Sequence, residues 1–178
     1  MVSLDMEITI STSKEDIEKL SKDCKKCGHC CSYGTGYLIK GDLEAIADYL
    51  KKDLKTLKEE KFTEAMVFGT PLLRPKTLTE DDGKPFGKCV FLKDNNCMIH
   101  PVKPYMCKVG TCSKSGASVM EWFYLHYAVQ PYNNKSLSEW NARLESHPTI
   151  QGGAAEDLVP DKQVREKLLS MNDCEEKR

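Results

Sequence analysis

Apolar residues along this chain recur mainly at the spacing of α-helices, and the clearest case lies between residues 42 and 50. The positions i, i+3, i+4 and i+7 counted from Leu43 are all apolar and end at Leu50, so these side chains share one helical face. Asp42 stands directly before this face, where a short polar side chain commonly caps the first turn. The pattern therefore predicts a helix that starts at Asp42 and buries one face.

Five further segments show apolar positions at helical spacing, most of them behind a capping residue. The first is a short helix with Ile17 and Leu20 behind Ser13, and the second begins at Thr56 and Glu59 and continues through Phe62, Ala65 and Met66. The third covers residues 117–129. The fourth begins at Ser136 and Glu139, with Leu137, Trp140 and Leu144 facing inward, and the last is a short helix with Val164, Leu168 and Met171. These segments make the chain mainly helical.

Short extended segments and loops are predicted between the helices. Residues 6–10 form a candidate strand, and the glycines of residues 34–36 predict a turn that leads into an extended stretch up to Ile39. Residues 79–87 are polar and contain glycine, which is typical of a loop.

A hairpin is predicted around the polar residues 93–96, because an apolar stretch lies on either side of them. Each arm of this hairpin starts with a cysteine, so the pairing of the arms should bring Cys89 and Cys97 close together. Beyond the hairpin, Pro101 and Pro104 are expected to hold the backbone out of helix as a stiff loop. Such a loop would place a following thiol at a low entropic cost.

Composition and charge narrow the classes of function. Hydrophobic residues make up 40% of the chain and charged residues 30%, as in an ordinary folded protein. The net charge of −1 gives no overall basic field, so nucleic acid is not an expected partner. No apolar run approaches the ~20 residues of a membrane span, and residues 1–10 lack the basic start and apolar stretch of a signal peptide. We therefore expect a cytoplasmic protein with no membrane partner.

Eight of the nine cysteines form two clusters, of which the first has the spacing CxxCxxCC. The clusters contain Cys24, Cys27, Cys30, Cys31, Cys89, Cys97, Cys107 and Cys112. Two intervening residues let both sulfurs of a CxxC pair turn toward one metal ion, at about 2.3 Å from each. In a reducing compartment these thiols are expected to bind metal, whereas four disulfides and one spare thiol are the alternative for an exported protein. Cys174 stands apart in a charged tail and is expected to be a free, exposed thiol.

The spacing leaves the metal and the number of centres open. Two tetrahedral four-cysteine sites, two cubane clusters or one polynuclear thiolate cluster would each use all eight sulfurs, and both zinc and iron–sulfur clusters favour thiolates. Cys30 and Cys31 are adjacent, so we expect their side chains to diverge toward two centres, or one of them to support the centre from outside. His29 and His100 lie inside the clusters and are expected to support the centre or lie at the surface rather than ligate.

The clusters and the predicted elements together indicate an α+β fold, a small and mainly helical single domain with a cysteine-rich metal-binding core and a short β-hairpin. A chain of 178 residues is long enough for one domain with a hydrophobic core. Three parts are expected: an N-terminal strand and helix over 1–21, the cysteine-cluster core over 22–115, and a C-terminal helical extension over 116–178 packed on that core.

These motifs resemble the YkgJ-like cysteine-cluster family, a zinc- or iron-chelating domain whose members often carry the label of iron–sulfur oxidoreductase. The resemblance covers residues 22–112 and consists of Cys24-x-x-Cys27-Gly28-x-Cys30-Cys31, the helix Asp42–Leu50, Gly87-Lys-Cys89-Val-Phe91-Leu92, Cys97-Met-Ile99-His100, and Lys103-Pro104 with Cys107. The family usually has tyrosine at the position of His100 and arginine at that of Lys103. The resemblance implies a metal-binding fold without assigning a reaction.

Three hypotheses for the function remain open at this point. The first is a cytosolic iron–sulfur protein, with the eight clustered cysteines as ligands, a redox or cluster-dependent role and a protein or redox partner. The second is a zinc-stabilised module that binds a partner protein. The third is a component of a protein-modifying, methylase-like enzyme, since a related cysteine motif accompanies flagellin lysine N-methylases. The chain has no P-loop, HExxH or GxGxxG motif, so the sequence assigns neither a reaction nor a catalytic residue.

Overall fold

The computed structural model describes residues 6–21, 24, 26–78, 87–110 and 112–171. Within these ranges, nine α-helices and three two-stranded sheets confirm the predicted α+β class. The helices are α1 (Lys14–Leu20), α2 (His29–Tyr33), α3 (Asp42–Leu50), α4 (Leu54–Lys61), α5 (Tyr105–Val109), α6 (Gly116–Tyr127), α7 (Asn134–Leu144), α8 (Ala155–Leu158) and α9 (Lys162–Ser170). The strands are β1 (Phe62–Val67), β2 (Thr70–Pro75), β3 (Thr77–Leu78), β4 (Lys88–Cys89), β5 (Leu92–Lys93) and β6 (Asn96–Cys97). None of the described helices has both the length and the apolar character that a membrane crossing requires.

The chain divides into two compact units. One, here called the cysteine unit, consists of Leu20–Ala65 and Pro71–Cys112, and it contains all eight clustered cysteines. The other, here called the helical unit, consists of Met1–Lys19, Met66–Thr70 and Ser113–Arg178. The three-part division expected from the sequence stays a prediction.

Helix α3 has the apolar face that its sequence predicts. Ile46 and Ala47 are buried in a core of the cysteine unit, and Leu43 and Leu50 pack against the same core. The predicted cap is wrong, however, because Gly41 is the N-cap and Asp42 is the first helical residue. The buried Asp42 carboxylate bonds to backbone groups outside α3, so it is not available to cap its own helix.

The helix predicted to run through Phe62, Ala65 and Met66 ends earlier, at Lys61. Asp53 rather than Thr56 caps α4, since the Asp53 side chain accepts a hydrogen bond of 2.9 Å from the Thr56 backbone N–H. Phe62 is extended and begins β1, and its ring packs 5.6 Å from that of Phe91 between ring centroids. Strand pairing with β2 and the Phe62–Phe91 contact therefore prevail over the local helical periodicity.

The predicted hairpin is confirmed as β5 and β6, which pair antiparallel with Leu92 opposite Cys97. Asp94 and Asn95 form its two-residue turn with φ values of 48° and 59°, in the left-handed region that Asp and Asn tolerate best among non-glycine residues. The first arm is shorter than predicted, because Cys89 belongs to β4 and pairs with Thr77 of β3. Residues 79–86 of the predicted loop lie outside the described residues.

The proline-containing segment after the hairpin is helical, contrary to the prediction. A 3-10 helix covers His100–Val102, and α5 begins immediately after Pro104. Proline fits the first positions of a helix, because its missing N–H would have no intrahelical partner there. Pro101 and Pro104 therefore begin short helices instead of excluding them.

In the helical unit, α1, α6, α7 and α9 confirm predicted helices. Asn133 and not Ser136 caps α7, because the Asn133 side chain accepts a hydrogen bond of 3.0 Å from the Ser136 backbone N–H. The strand predicted for residues 6–10 is reduced to a single bridge between Thr9 and Gln151. A hydrogen bond of 3.1 Å from the Thr12 N–H to the Thr9 carbonyl turns the chain there and prevents a longer strand.

Candidate metal centre

Helix α2, which the sequence analysis missed because it has only five residues, carries Cys30 and Cys31. It begins after Gly28, whose φ of 71° lies in the left-handed region that glycine adopts without strain. A Cβ atom on Gly28 would lie 2.7 Å from the carbonyl oxygen of Asn95, in the turn between β5 and β6. The glycine of the CxxCG motif thus allows α2 to start directly against the hairpin that carries Cys97.

Helix α2 brings the thiols of Cys30 and Cys31 together, and Cys97 of β6 lies near them. The Sγ atoms of Cys30 and Cys31 are 3.9 Å apart, and the Cys31 and Cys97 side chains lie close enough for each to shift the pKa of the other. The prediction that the adjacent Cys30 and Cys31 side chains diverge is wrong, because the helical backbone of α2 lets both thiols turn to one side.

Cys89 and Cys107 lie close enough to these sulfurs for their charges to interact. Cys89 is buried in β4, and its pKa responds to Cys97 and Cys30, while that of Cys107 responds to Cys89, Cys30 and Cys97. The five-thiol group, as we call this set, therefore draws on α2, β4, β6 and α5. Its members are Cys30, Cys31, Cys89, Cys97 and Cys107.

Gly36 holds a position against Cys107 that the sequence analysis did not find. A Cβ atom on Gly36 would lie 2.5 Å from Cys107 Sγ, and the Gly36 backbone is close enough to this sulfur to lower its pKa. The only signal in the sequence was the pair of glycines at 34 and 36, which predicted a turn and not a contact with a distant thiol.

The Cys31 side chain favours the thiolate form of two neighbouring cysteines. The Cys31 side chain holds the pKa of Cys30 down to about 6 and that of Cys97 to about 7. The positive charge of Lys103 lowers the pKa of both thiols further. Cys30 and Cys97 can thus supply thiolates, the form that binds metal, at neutral pH.

The other three thiols of the group keep their protons more strongly. The pKa of Cys31 is raised by its interactions with the Cys30 and Cys97 thiols, and that of Cys89 is raised by burial. Burial also raises the pKa of Cys107, to about 12. Metal binding would have to displace these three protons, so it would be favoured by rising pH.

The remaining three predicted ligands lie outside the five-thiol group. Cys24 is half-buried, while Cys27 and Cys112 are exposed. In the part of the chain that the structure describes, no three Cys, His, Asp or Glu side chains are already arranged as a complete set of metal ligands.

The donor chemistry nevertheless suits a metal that prefers sulfur. Four thiolates satisfy a tetrahedral zinc ion, and thiolates also bind the iron atoms of iron–sulfur clusters. The five-thiol group offers five such donors, two of which have a lowered pKa. These residues fit a zinc or iron centre.

The two histidines of the clusters differ in environment. His29 is exposed and makes an edge-on ring contact with Tyr33, with the ring centroids 5.1 Å apart. His100 is half-buried, and its Nε2 atom is buried without a hydrogen-bond partner within the described residues. Burial lowers the pKa of His100, and the charges of Lys103 and Lys26 lower it further, which favours a neutral imidazole.

A cavity of about 440 Å³ lies in the helical unit, and no cysteine lines it. Its buried acidic residue, Glu121, forms an ion pair with Arg143. The cavity therefore offers none of the thiol donors on which the candidate metal centre depends.

The α+β fold and the gathered thiols define a small cysteine-rich domain of the metal-chelating type. The chain belongs to the CxxCxxCC family, described as "Putative zinc- or iron-chelating domain", whose family model matches residues 23–135. This membership supports metal binding. No curated protein matches the chain, and no solved structure matches it.

Proposed function

We propose that the cysteine unit binds iron as an iron–sulfur cluster, and that the protein has a redox or cluster-dependent role in the cytoplasm with a redox partner protein. The observation that carries this proposal is the five-thiol group. The group supplies the four thiolates that an iron–sulfur cluster takes, and the several iron atoms of a cluster can accept sulfurs that come from four separate elements.

The cysteines outside the five-thiol group extend the ligand set. Cys24, Cys27 and Cys112 belong to the same unit and bring the available thiols to eight, enough for two four-cysteine centres. Their greater exposure would let a centre close only when metal arrives. Lys103 would offset part of the negative charge that a thiolate-bound centre carries.

A structural zinc site is the second candidate, and the separation of Cys30 and Cys31 favours it. Two sulfurs on one tetrahedral zinc ion, each at about 2.3 Å, stand roughly 3.8 Å apart. The two Sγ atoms are 3.9 Å apart. A closed four-thiolate site of this kind would stabilise the fold and leave no open position for Lewis-acid catalysis.

Anaerobic purification followed by measurement of iron, acid-labile sulfide and zinc distinguishes the two candidates. The iron–sulfur proposal expects a brown protein with sulfide equal to iron and with visible absorption that bleaches on reduction. A colourless protein with stoichiometric zinc would contradict the cluster and support the zinc site. A protein that holds neither metal, even after reconstitution with iron and sulfide or with Zn²⁺, would overturn both.

A further inference from the structure

Asp42 is an acidic residue that is buried without being one of the predicted ligands. Its exposed fraction is 6%, and it lies in the cysteine unit. A buried carboxylate is costly unless hydrogen bonds and opposite charge compensate it, so its partners indicate what it does.

The Asp42 carboxylate joins two segments that are far apart in the sequence. Its Oδ2 atom accepts a hydrogen bond of 2.9 Å from the Ile39 N–H and another of 2.7 Å from the Tyr105 N–H. Its Oδ1 atom lies 3.6 Å from the ammonium nitrogen of Lys108. Tyr105 and Lys108 both belong to α5, the short helix that carries Cys107.

Helix α5 takes its first N-terminal acceptor from this carboxylate, because the side chain of its own N-cap residue accepts no hydrogen bond. The N-cap is Pro104, which has no side-chain acceptor, and the Tyr105 N–H is the first orphan donor of the helix. Asp42 therefore caps α5 from another helix. At the opposite end of α5, the Ser21 hydroxyl donates a hydrogen bond of 2.6 Å to the Val109 carbonyl.

The segment before Asp42 is tied to the same helix and reaches the Cys107 thiol. The Met106 N–H donates a hydrogen bond of 3.3 Å to the Tyr37 carbonyl, and Gly36 lies directly against Cys107 Sγ. By accepting hydrogen bonds from both Ile39 and Tyr105, Asp42 fixes the position of this segment relative to α5. That relative position determines where the Cys107 sulfur lies.

We propose that Asp42 is the positioning residue for Cys107: its carboxylate holds α5 and the segment up to Ile39 together, so that the Cys107 thiol stays within the five-thiol group. This role rests on the proposed metal-binding function of that group. It requires no contact between Asp42 and the metal.

The test measures alkylation of Cys107 in the full-length, reduced, metal-free protein. Cys107 and Cys89 are followed by peptide mass spectrometry after timed exposure to iodoacetamide. Global unfolding would expose both thiols alike, whereas loss of positioning exposes Cys107 selectively. We expect Asp42→Ala to raise the Cys107 rate about tenfold relative to that of Cys89, as loss of a hydrogen bond to a charged group would allow.

Conservative variants separate positioning from a general effect on folding. Asp42→Asn keeps an oxygen that can accept both N–H bonds, so it should restore most of the protection of Cys107. Lys108→Met removes the ion pair alone and should change the rate less than Asp42→Ala. If Asp42→Ala does not fold, Asp42→Glu takes its place, because the longer side chain keeps the charge and displaces the acceptor.

Equal rates for Cys107 in the wild type and in Asp42→Ala, or a parallel rise at Cys89, would overturn the positioning role. A separate titration with Zn²⁺ and a competing chelator tests the function on which it rests. Weaker Zn²⁺ binding by Asp42→Ala, with rescue by Asp42→Asn, is the expected result. If wild-type protein binds no Zn²⁺ and reconstitutes no iron, the metal-binding proposal fails whatever the alkylation rates show.

Discussion

Gly36 and Cys107 are in contact although they are distant in the sequence, and the contact leaves no room for a side chain on residue 36. A Cβ atom there would stand 2.5 Å from Cys107 Sγ and 3.0 Å from the Cys107 backbone nitrogen. Both distances are shorter than ordinary van der Waals contact. Glycine is therefore required at position 36 for steric reasons, because a side chain there would displace Cys107, one of the predicted ligands.

We expect Gly36→Ala to destabilise the protein by about 1–3 kcal/mol, the usual cost of extra atoms in a packed site. It should also lower the metal content, because Cys107 must move. Urea denaturation and metal analysis would measure the two effects. Gly34→Ala is the matched control, since a Cβ atom on Gly34 has no neighbour within 4 Å and its φ of −179° suits any residue. Equal effects of the two substitutions would contradict the steric explanation.

Substitutions at Gly28 and Gly41 distinguish the effect of backbone strain from that of a steric clash with a neighbouring residue. Gly28→Ala would suffer both a φ of 71° and a Cβ atom 2.7 Å from the Asn95 carbonyl oxygen. Gly41→Ala would suffer only the strain, because its φ is 91° and its Cβ atom would have open space. We expect about 1–2 kcal/mol of destabilisation for Gly41→Ala and at least ~1 kcal/mol more for Gly28→Ala.

Thermal and urea unfolding of the two variants would give this difference directly. Metal content should fall in Gly28→Ala alone, since Gly28 lies against the Cys97 hairpin whereas a Cβ atom on Gly41 would have no neighbour within 4 Å. A Gly41→Ala protein that loses as much metal as Gly28→Ala would show that α2 does not depend on the close approach.

Much of the fold could be predicted because local patterns specify it. The buried positions of α3 follow a helical period, and the hairpin has a polar turn, Asp94–Asn95, whose residues tolerate positive φ. Phe62 was misassigned because its strand depends on pairing with β2 and on the contact with Phe91, neither of which its neighbours in the sequence reveal. Tertiary contacts override local propensity at such positions.

Less of the candidate site than of the fold could be predicted from the sequence, for the same reason. The cysteine spacing indicated thiolate chemistry, but it could not show that Cys31 would contact both Cys30 and Cys97. The capping of α5 by Asp42 joins two segments that share no local pattern. Capping patterns in a sequence connect only neighbouring residues, so they predict Asp42 as a cap of α3, whereas it caps α5.

Removal of the Cys27 thiol, which belongs to the first cysteine cluster, should affect metal content and stability, whereas removal of the Cys174 thiol should not. We expect Cys27→Ser to release metal and destabilise the fold, with a loss of metal affinity above the roughly 10–100-fold that follows loss of a supporting partner. Cys174→Ser is the matched control and should change neither property; Cys174 lies outside the described residues. Metal analysis and thermal unfolding measure both variants. Full metal content in Cys27→Ser would remove Cys27 from the ligand set.

The pH dependence of alkylation tests the hydrogen bonds among the thiols. In the metal-free protein, the pKa of Cys30 is about 6 and that of Cys107 about 12. Since iodoacetamide reacts with the thiolate, Cys30 should react at nearly its full rate at pH 7 and lose reactivity as the pH falls through 6. Cys107 should react slowly at pH 7 and faster as the pH rises.

The cause of the low pKa can be tested by changing its donor. Cys31→Ala removes the hydrogen bond to Cys30, so the midpoint of Cys30 reactivity should rise toward the ordinary thiol value of about 8.5. Cys31→Ser keeps a hydroxyl donor and should leave the midpoint closer to 6. A midpoint that stays the same in Cys31→Ala would assign the shift to Lys103 instead, and Lys103→Met would then raise it. If Cys30 already titrates near 8.5 in the wild type, the Cys31 contact is not a hydrogen bond that favours the thiolate.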